Sequence, residues 1–102
     1  MKGKRLSLDG LSLFYASNDA AHFRVGISVS KKLANAVNRN RLKRRIRNCV
    51  MKVLRDHSLG YDLVFVARRE LYDAPFEKIM KAVEAVLKRT VIRAKHSEGA
   101  RS

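Results

Sequence analysis

The sequence holds one cysteine, which excludes a disulfide within the chain. That residue, Cys49, falls on the apolar side of a helical segment, where a small buried side chain is the ordinary reading and a nucleophile is not. No apolar run approaches the roughly 20 residues of a membrane-spanning helix. The basic start, Met1 to Arg5, is followed by Leu6-Ser7-Leu8-Asp9, too short and too polar for a signal-peptide core. The chain therefore reads as cytoplasmic, with no membrane partner. Its five glycines are dispersed, so no glycine-rich loop is present to cradle a phosphate. Its nine carboxylates are scattered, and no shared helix or strand sets two of them for general acid–base work. His22, His57 and His96 lie at element ends without a cysteine or carboxylate at ligand spacing, and read as surface histidines. No catalytic residue and no metal site are assigned. Any reaction this chain serves is expected to use the reacting groups of a partner.

What the sequence has is positive charge. Twenty-three lysines and arginines face nine acidic residues, giving a net charge of +14 and a pI near 10.8. Between Asp19 and Asp56 there is no acidic residue, whereas eleven lysines and arginines fall in that interval. Its centre, from Ala36 to about Asp56, has helical periodicity. Leu42, Ile46, Cys49, Val50, Val53 and Leu54 recur at the spacing of one apolar face. At about 100° per residue, Asn40, Arg41, Lys43, Arg44, Arg47 and Asn48 fan across the other side. Arg39 falls at the edge of the apolar arc, one turn before Lys43. A solvated helix ordinarily interleaves both signs, because i to i+4 pairs stabilise it and like charges oppose it. This helix carries the repulsion on nearly every turn, and a polyanion would relieve it.

The rest of the chain has room for one core: 102 residues, 46% of them hydrophobic. Leu11 to Ser17 reads as a strand, with Leu11, Leu13 and Tyr15 on one side and Ser12, Phe14 and Ala16 on the other. Phe14 either stands exposed beside the basic helix as a stacking platform or packs beneath a helix, and spacing does not choose. Asn18-Asp19 is a turn signal. A second strand spans Phe23 to Ser30. Its Arg24, Gly26, Ser28 and Ser30 face is small and polar apart from the arginine, which leaves room for a ligand. Lys31 to Asn35 leads into the basic helix, with Asn35 as N-cap and Asn38 as its competitor. Gly60 reads as the breaker after the helix. Tyr61 to Ala67 is a third, nearly all-apolar strand, hence central. Asp73 and Pro75 mark the start of a last helix, capped by Asp73, with Phe76, Ile79, Met80, Val83, Val86 and Leu87 as its core stripe. Residues 1–9 and 96–102 are read as mobile. The order is strand, strand, helix, strand, helix: a single α+β domain with helices packed on one sheet.

Composition leaves a structural RNA-binding protein of ribosomal type and a basic DNA-binding protein open. Against the latter, no second short helix precedes the basic one, as a helix-turn-helix requires.

The stretch Phe23-Arg-Val-Gly-Ile-Ser-Val-Ser-Lys-Lys, followed by Asn35-Ala-Val-Asn-Arg-Asn-Arg-Leu-Lys-Arg-Arg-Ile-Arg, resembles the signature of the bacterial ribonuclease P protein subunit. The hallmark is Arg39-Asn40-Arg41, and Tyr61 to Arg68 is similar to the family's third strand. The resemblance runs from about Gly10 to the end of the last helix. It implies an α+β fold with a sheet of about four strands, like the second domain of a small-subunit ribosomal protein. It implies a noncatalytic subunit of a holoenzyme, an endoribonuclease that removes the 5′ leader of precursor tRNA. The partners are then the catalytic RNA, in a 1:1 complex, and precursor tRNA. The Mg²⁺ ions are held mainly by the RNA. By position, Arg39, Asn40, Arg41, Lys43, Arg44 and Arg47, with Lys31 and Lys32, are the implied RNA contacts. Phe14, Ser28, Ser30, Arg39 and Lys43 are the implied leader cleft, between helix and sheet. The family's N-terminal helix, whose aromatics line that cleft, is absent here by this reading.

Overall fold

The computed structural model describes residues 3–32, 35–58 and 60–92. The tail expected to be mobile, 96–102 with His96, lies outside them, as do residues 33 and 34 of the connection into the basic helix. The elements are β1 (Lys4–Leu8), β2 (Leu11–Ser17), β3 (Arg24–Val29), α1 (Ala36–Leu54), β4 (Tyr61–Ala67), a 3-10 turn (Arg69–Leu71) and α2 (Phe76–Lys88). The sheet order is β1-β2-β4-β3. β1 and β4 flank β2 antiparallel, and β3 runs parallel to β4 at the edge.

β1 corrects the expectation that residues 1–9 are mobile: residues 4–8 are a paired strand. Its cause is the Asp9-Gly10 dipeptide. Asp9 (φ 51°) and Gly10 (φ 86°) both have positive φ, and Leu8 pairs with Leu11 across a two-residue loop. That geometry matches the right-handed twist of the flanking strands and favours Asp-Gly. Gly10 is also crowded: a Cβ there would lie 2.9 Å from Glu70 Cβ. Gly10→Ala is therefore expected to lower unfolding free energy by about 1–2 kcal/mol from backbone strain alone. Urea denaturation checks this, and an unchanged midpoint would contradict the turn geometry.

Strand alternation sorts the sheet into two faces. Leu11 and Leu13 of β2, Leu63, Phe65 and Ala67 of β4 and Val29 of β3 are buried together. Registers place them side by side: Leu13 with Phe65, and Phe65 with Ile27. The buried faces of α1 (Leu42, Ile46, Cys49, Val50, Leu54) and α2 (Ile79, Ala82, Val83, Val86, Leu87) complete this one core. Both helices thus cover one side of the sheet. The other face carries Arg5, Phe14, Ala16, Arg24, Gly26, Ser28, Asp62 and Val64. Phe14 and Val64 are neighbours there and remain 41% and 43% exposed. β4 is central, as its composition implies, but it is not buried on both sides.

Asn35 caps α1: its Oδ1 accepts the Asn38 N–H at 2.9 Å, so Asn38 is a recipient and not the cap. Two boundary expectations change. Pro75, not Asp73, is the N-cap of α2, and no side chain caps that end. Gly60 does not cap α1, which ends at Leu54 with Arg55 still right-handed. It is a point of close approach instead, since a Cβ at Gly60 would lie 2.8 Å from Asn18 Oδ1 and 2.9 Å from Asn18 O. The Asn18 N–H donates to the Gly60 carbonyl at 2.9 Å, so the two loops are tied directly. His57 is half-buried and not a surface residue: its N–H bonds the Leu54 carbonyl, and its Nδ1 is buried with no hydrogen-bond partner.

Candidate nucleic-acid interface

α1 has three sectors. One is the buried stripe. The second, the solvent face, exposes Asn40, Arg44 and Arg47, with Arg41 and Asn48 beside them. The first turn holds no acidic residue. The helix is roughly 28 Å long over its 19 residues, and these five side chains occupy about 12 Å of it. Arg39 and Lys43, half-buried, lie on the flank of α1 turned away from α2. This is the edge position their spacing implies.

The structure separates the other site residues. Phe14 and Ser28 share the sheet face turned away from both helices, on β2 and β3, with β4 between them. About 10 Å separates such strands. The Arg5 guanidinium lies 5.5 Å from the Phe14 ring centroid. A shallow cavity of about 410 Å³ opens there, lined by Arg5, Phe14, Ala16 and Val64 among others. Phe14 is thus on the surface and not beneath a helix. A Cβ on Gly26 would meet nothing closer than Val64 Cγ2 at 3.8 Å, so the fold does not require glycine there. Its effect is to leave the face open. Ser30 follows β3, and its Oγ accepts the Lys32 N–H at 3.1 Å, which orders the turn presenting exposed Lys31 and Lys32. Arg39 and Lys43 stand on the helix side of the sheet. The expected cleft residues are therefore not one enclosed groove. They meet only around the β3 edge, against which α1 packs.

The charge on this open face is partly neutralised. Arg24 Nε donates to Asp62 Oδ1 at 2.7 Å, across a register pair of β3 and β4. Asn18 Nδ2 donates to the same oxygen at 2.8 Å. These donors, Arg24 first and Asn18 second, hold the Asp62 carboxyl below the usual carboxylate range, and the pairing raises Arg24. A carboxylate with a depressed folded pKa stabilises the fold above its unfolded value, near 3.9, and loses that contribution as pH falls through the folded value. Because the pair is exposed, the effect is small. The melting temperature is expected to hold from neutral pH to about 4 and then fall, with a shallower fall in Asp62→Asn. Identical acid profiles would contradict the pairing. At Cys49, burial is the main cause that pushes the thiol up, as suits a core residue.

Sequence reasoning missed the flank of α1 that faces α2. Asn38, Arg41, Arg45, Asn48, Lys52 and Arg55 follow one another at steps of three and four. Arg41 and Arg45 line a cavity of about 250 Å³ with Tyr72 and Asp73. Lys52 and Arg55 line another, of about 410 Å³, with Met51 and Phe76. The spacing of this third sector lies in the sequence, but helical periodicity alone does not show that a second helix packs beside it. Phe76, expected in the core stripe of α2, is 40% exposed.

A small α+β scaffold whose first helix carries seven basic and no acidic residues, beside an open sheet face with an exposed aromatic, has the charge and shape that suit a polyanion. Comparison with known proteins makes the class specific. The family description Ribonuclease P matches residues 1–91. The Ribonuclease P protein component of Bacillus mycoides is 42% identical over 69 residues, covering 68% of this chain and 60% of that protein. Its Staphylococcus epidermidis counterpart is 46% identical over 74 residues, covering 72% and 64%. The chain thus spans somewhat under two thirds of the length of these two relatives. The Staphylococcus aureus RNase P protein structure superposes with a TM-score of 0.76 at 41% identity, covering 85% of this chain and 80% of that one. The chain belongs to the Ribonuclease P family.

Proposed function

We propose that this chain is the noncatalytic protein subunit of ribonuclease P. It binds the catalytic RNA through the basic face of α1, with Arg39, Asn40, Arg41, Lys43, Arg44 and Arg47 as contacts and Lys31 and Lys32 adjoining. It holds the 5′ leader of precursor tRNA on the open sheet face, where Phe14 stacks an unpaired base beside Ser28. The leader then passes Ser30 and the β3 edge toward Arg39 and Lys43. The RNA, with its Mg²⁺ ions, performs the endonucleolytic cut. Among the described residues no group of three or more His, Cys, Asp or Glu side chains could hold a metal ion. No helix among them is long and apolar enough to cross a membrane.

The observation that carries this reading is the basic, acid-free exposed face of α1 on a chain that matches the family over residues 1–91. Its test is reconstitution with a bacterial RNase P RNA, comparing precursor tRNA with and without its leader. Faster cleavage at low Mg²⁺ and tighter binding of the leader-bearing form are expected. Activation without leader discrimination would retain the RNA contact and remove the open face. An RNA indifferent to the protein would refute the reading.

A further inference from the structure

We infer that the groove between α1 and the start of α2 is a second binding site for unpaired RNA, with Phe76 as its stacking surface. This inference rests on the RNA-binding reading above and adds a site that reading does not use. Phe76 is the first residue of α2 and stays 40% exposed, whereas the stripe behind it is buried. Met51, 47% exposed, lies across the groove from it. Two large apolar side chains are thus held open to solvent at one point. The frame around them is cationic. Lys52 Nζ lies 5.4 Å from the Phe76 ring centroid, and Arg55 and Asn48 line the same cavity of about 410 Å³.

This combination selects the occupant. A hydrophobic helix from a protein partner would have to desolvate Lys52 and Arg55 with no anion to receive them. A single-stranded polyanion satisfies both halves: a base stacks on the aromatic face, and its phosphates meet the cations. Asn48 supplies a donor and an acceptor for a base edge. Further along the same flank of α1, Arg45 and Arg41 line a separate cavity whose other wall includes Asp73, so the positive charge is strongest at the Phe76 end. Phe14 lies on the opposite side of the sheet from the helices, so this site is separate from the proposed leader face.

The chain contains no tryptophan. Phe76→Trp therefore installs a sole reporter in the groove, and Phe14→Trp, in a second variant, installs one on the sheet face. A short oligoadenylate is the probe, with anisotropy of a labelled copy reporting total binding. Saturable quenching of the Phe76→Trp signal is expected, weakening as salt rises. Phe76→Leu, which keeps the apolar volume but not the ring, should lower affinity roughly ten-fold. Lys52→Ala should also weaken binding and flatten the salt slope by about 0.7 unit, the single-strand value for one phosphate contact. Circular dichroism confirms that each variant is folded. Anisotropy that reports binding without quenching at position 76, and unchanged in Phe76→Leu, would overturn the groove site alone. Quenching insensitive to salt would overturn the role given to Lys52 and Arg55, since no phosphate would then be neutralised in the groove. Absence of binding by anisotropy and by both reporters would overturn the RNA reading with it.

Discussion

Replacing Arg41, Arg44 and Arg47 together by alanine is expected to lower affinity for the catalytic RNA about a hundred-fold at physiological salt. The estimate follows from counterion release. Each phosphate contact contributes roughly 0.7–0.9 to the slope of log affinity against log salt. From about 1 M to about 0.15 M that is roughly four- to five-fold per contact, and three contacts multiply to about 10². The slope itself should flatten by about two to three units. Titrations at several salt concentrations measure both quantities. A fall in affinity with an unchanged slope would mean that the arginines act otherwise than through phosphates.

The same variant separates binding from folding. Arg41, Arg44 and Arg47 are successive i, i+3 neighbours, so their mutual repulsion opposes the helix by a few tenths of a kcal/mol per pair. Alanine is also the strongest helix former. The triple variant should therefore melt no lower than the parent. An anion bound along this face would remove that cost.

How much of this was legible beforehand depends on which physical signal each element carries. α1 is readable because its apolar residues recur at helical spacing and a cap-type residue precedes them; that Asn35 and not Asn38 is the cap is settled by the Asn35 Oδ1 accepting the Asn38 N–H. β2 and β4 were readable from alternation and apolar composition. β1 was missed although Asp9-Gly10 between Leu6-Ser7-Leu8 and Leu11-Ser12-Leu13 is a strong hairpin signal. The basic residues before it suggested a mobile lead, and charge outweighed turn chemistry in that judgement. Sheet edges often carry lysine and arginine, so Lys4 and Arg5 suit a protective edge strand.

The site was less legible than the fold. Helical spacing identified which residues of α1 are exposed, and Arg39 and Lys43 do fall at its edge. It could not say on which side of the sheet the helix would pack. That depends on non-local pairing of β3 with β4, and it decides that Ser28 and Phe14 face away from Arg39. Phe76 was misjudged for a related reason. A first-turn residue has no preceding turn to cover it, so periodicity overstates its burial. Asp73 has the residue type of a cap, but the chain enters α2 through Pro75 in extended geometry, and Asp73 lies two residues too early.

Phe65→Ala is expected to cost about 3–5 kcal/mol, much of the roughly 5–15 kcal/mol that holds a domain of this size together. Phe65 has no exposed surface and is the largest fully buried side chain of the protein's described residues. It lies on β4 between Leu13 of β2 and Ile27 of β3, where strands and helices converge. Truncation removes aromatic burial and leaves a void that neighbours on two strands cannot collapse into together. Val64, the preceding residue, supplies the control. Its composition alone would bury it equally, but it points to the open face and is 43% exposed. Val64→Ala should cost well under 1 kcal/mol, the range of surface substitutions with few neighbours. Urea denaturation of the two variants thus reads the two faces of β4 directly. A large gap between adjacent residues means that one face is core and the other is free for a ligand. Equal, large costs would mean that the face carrying Phe14 is covered, and the proposed leader surface would be lost with it.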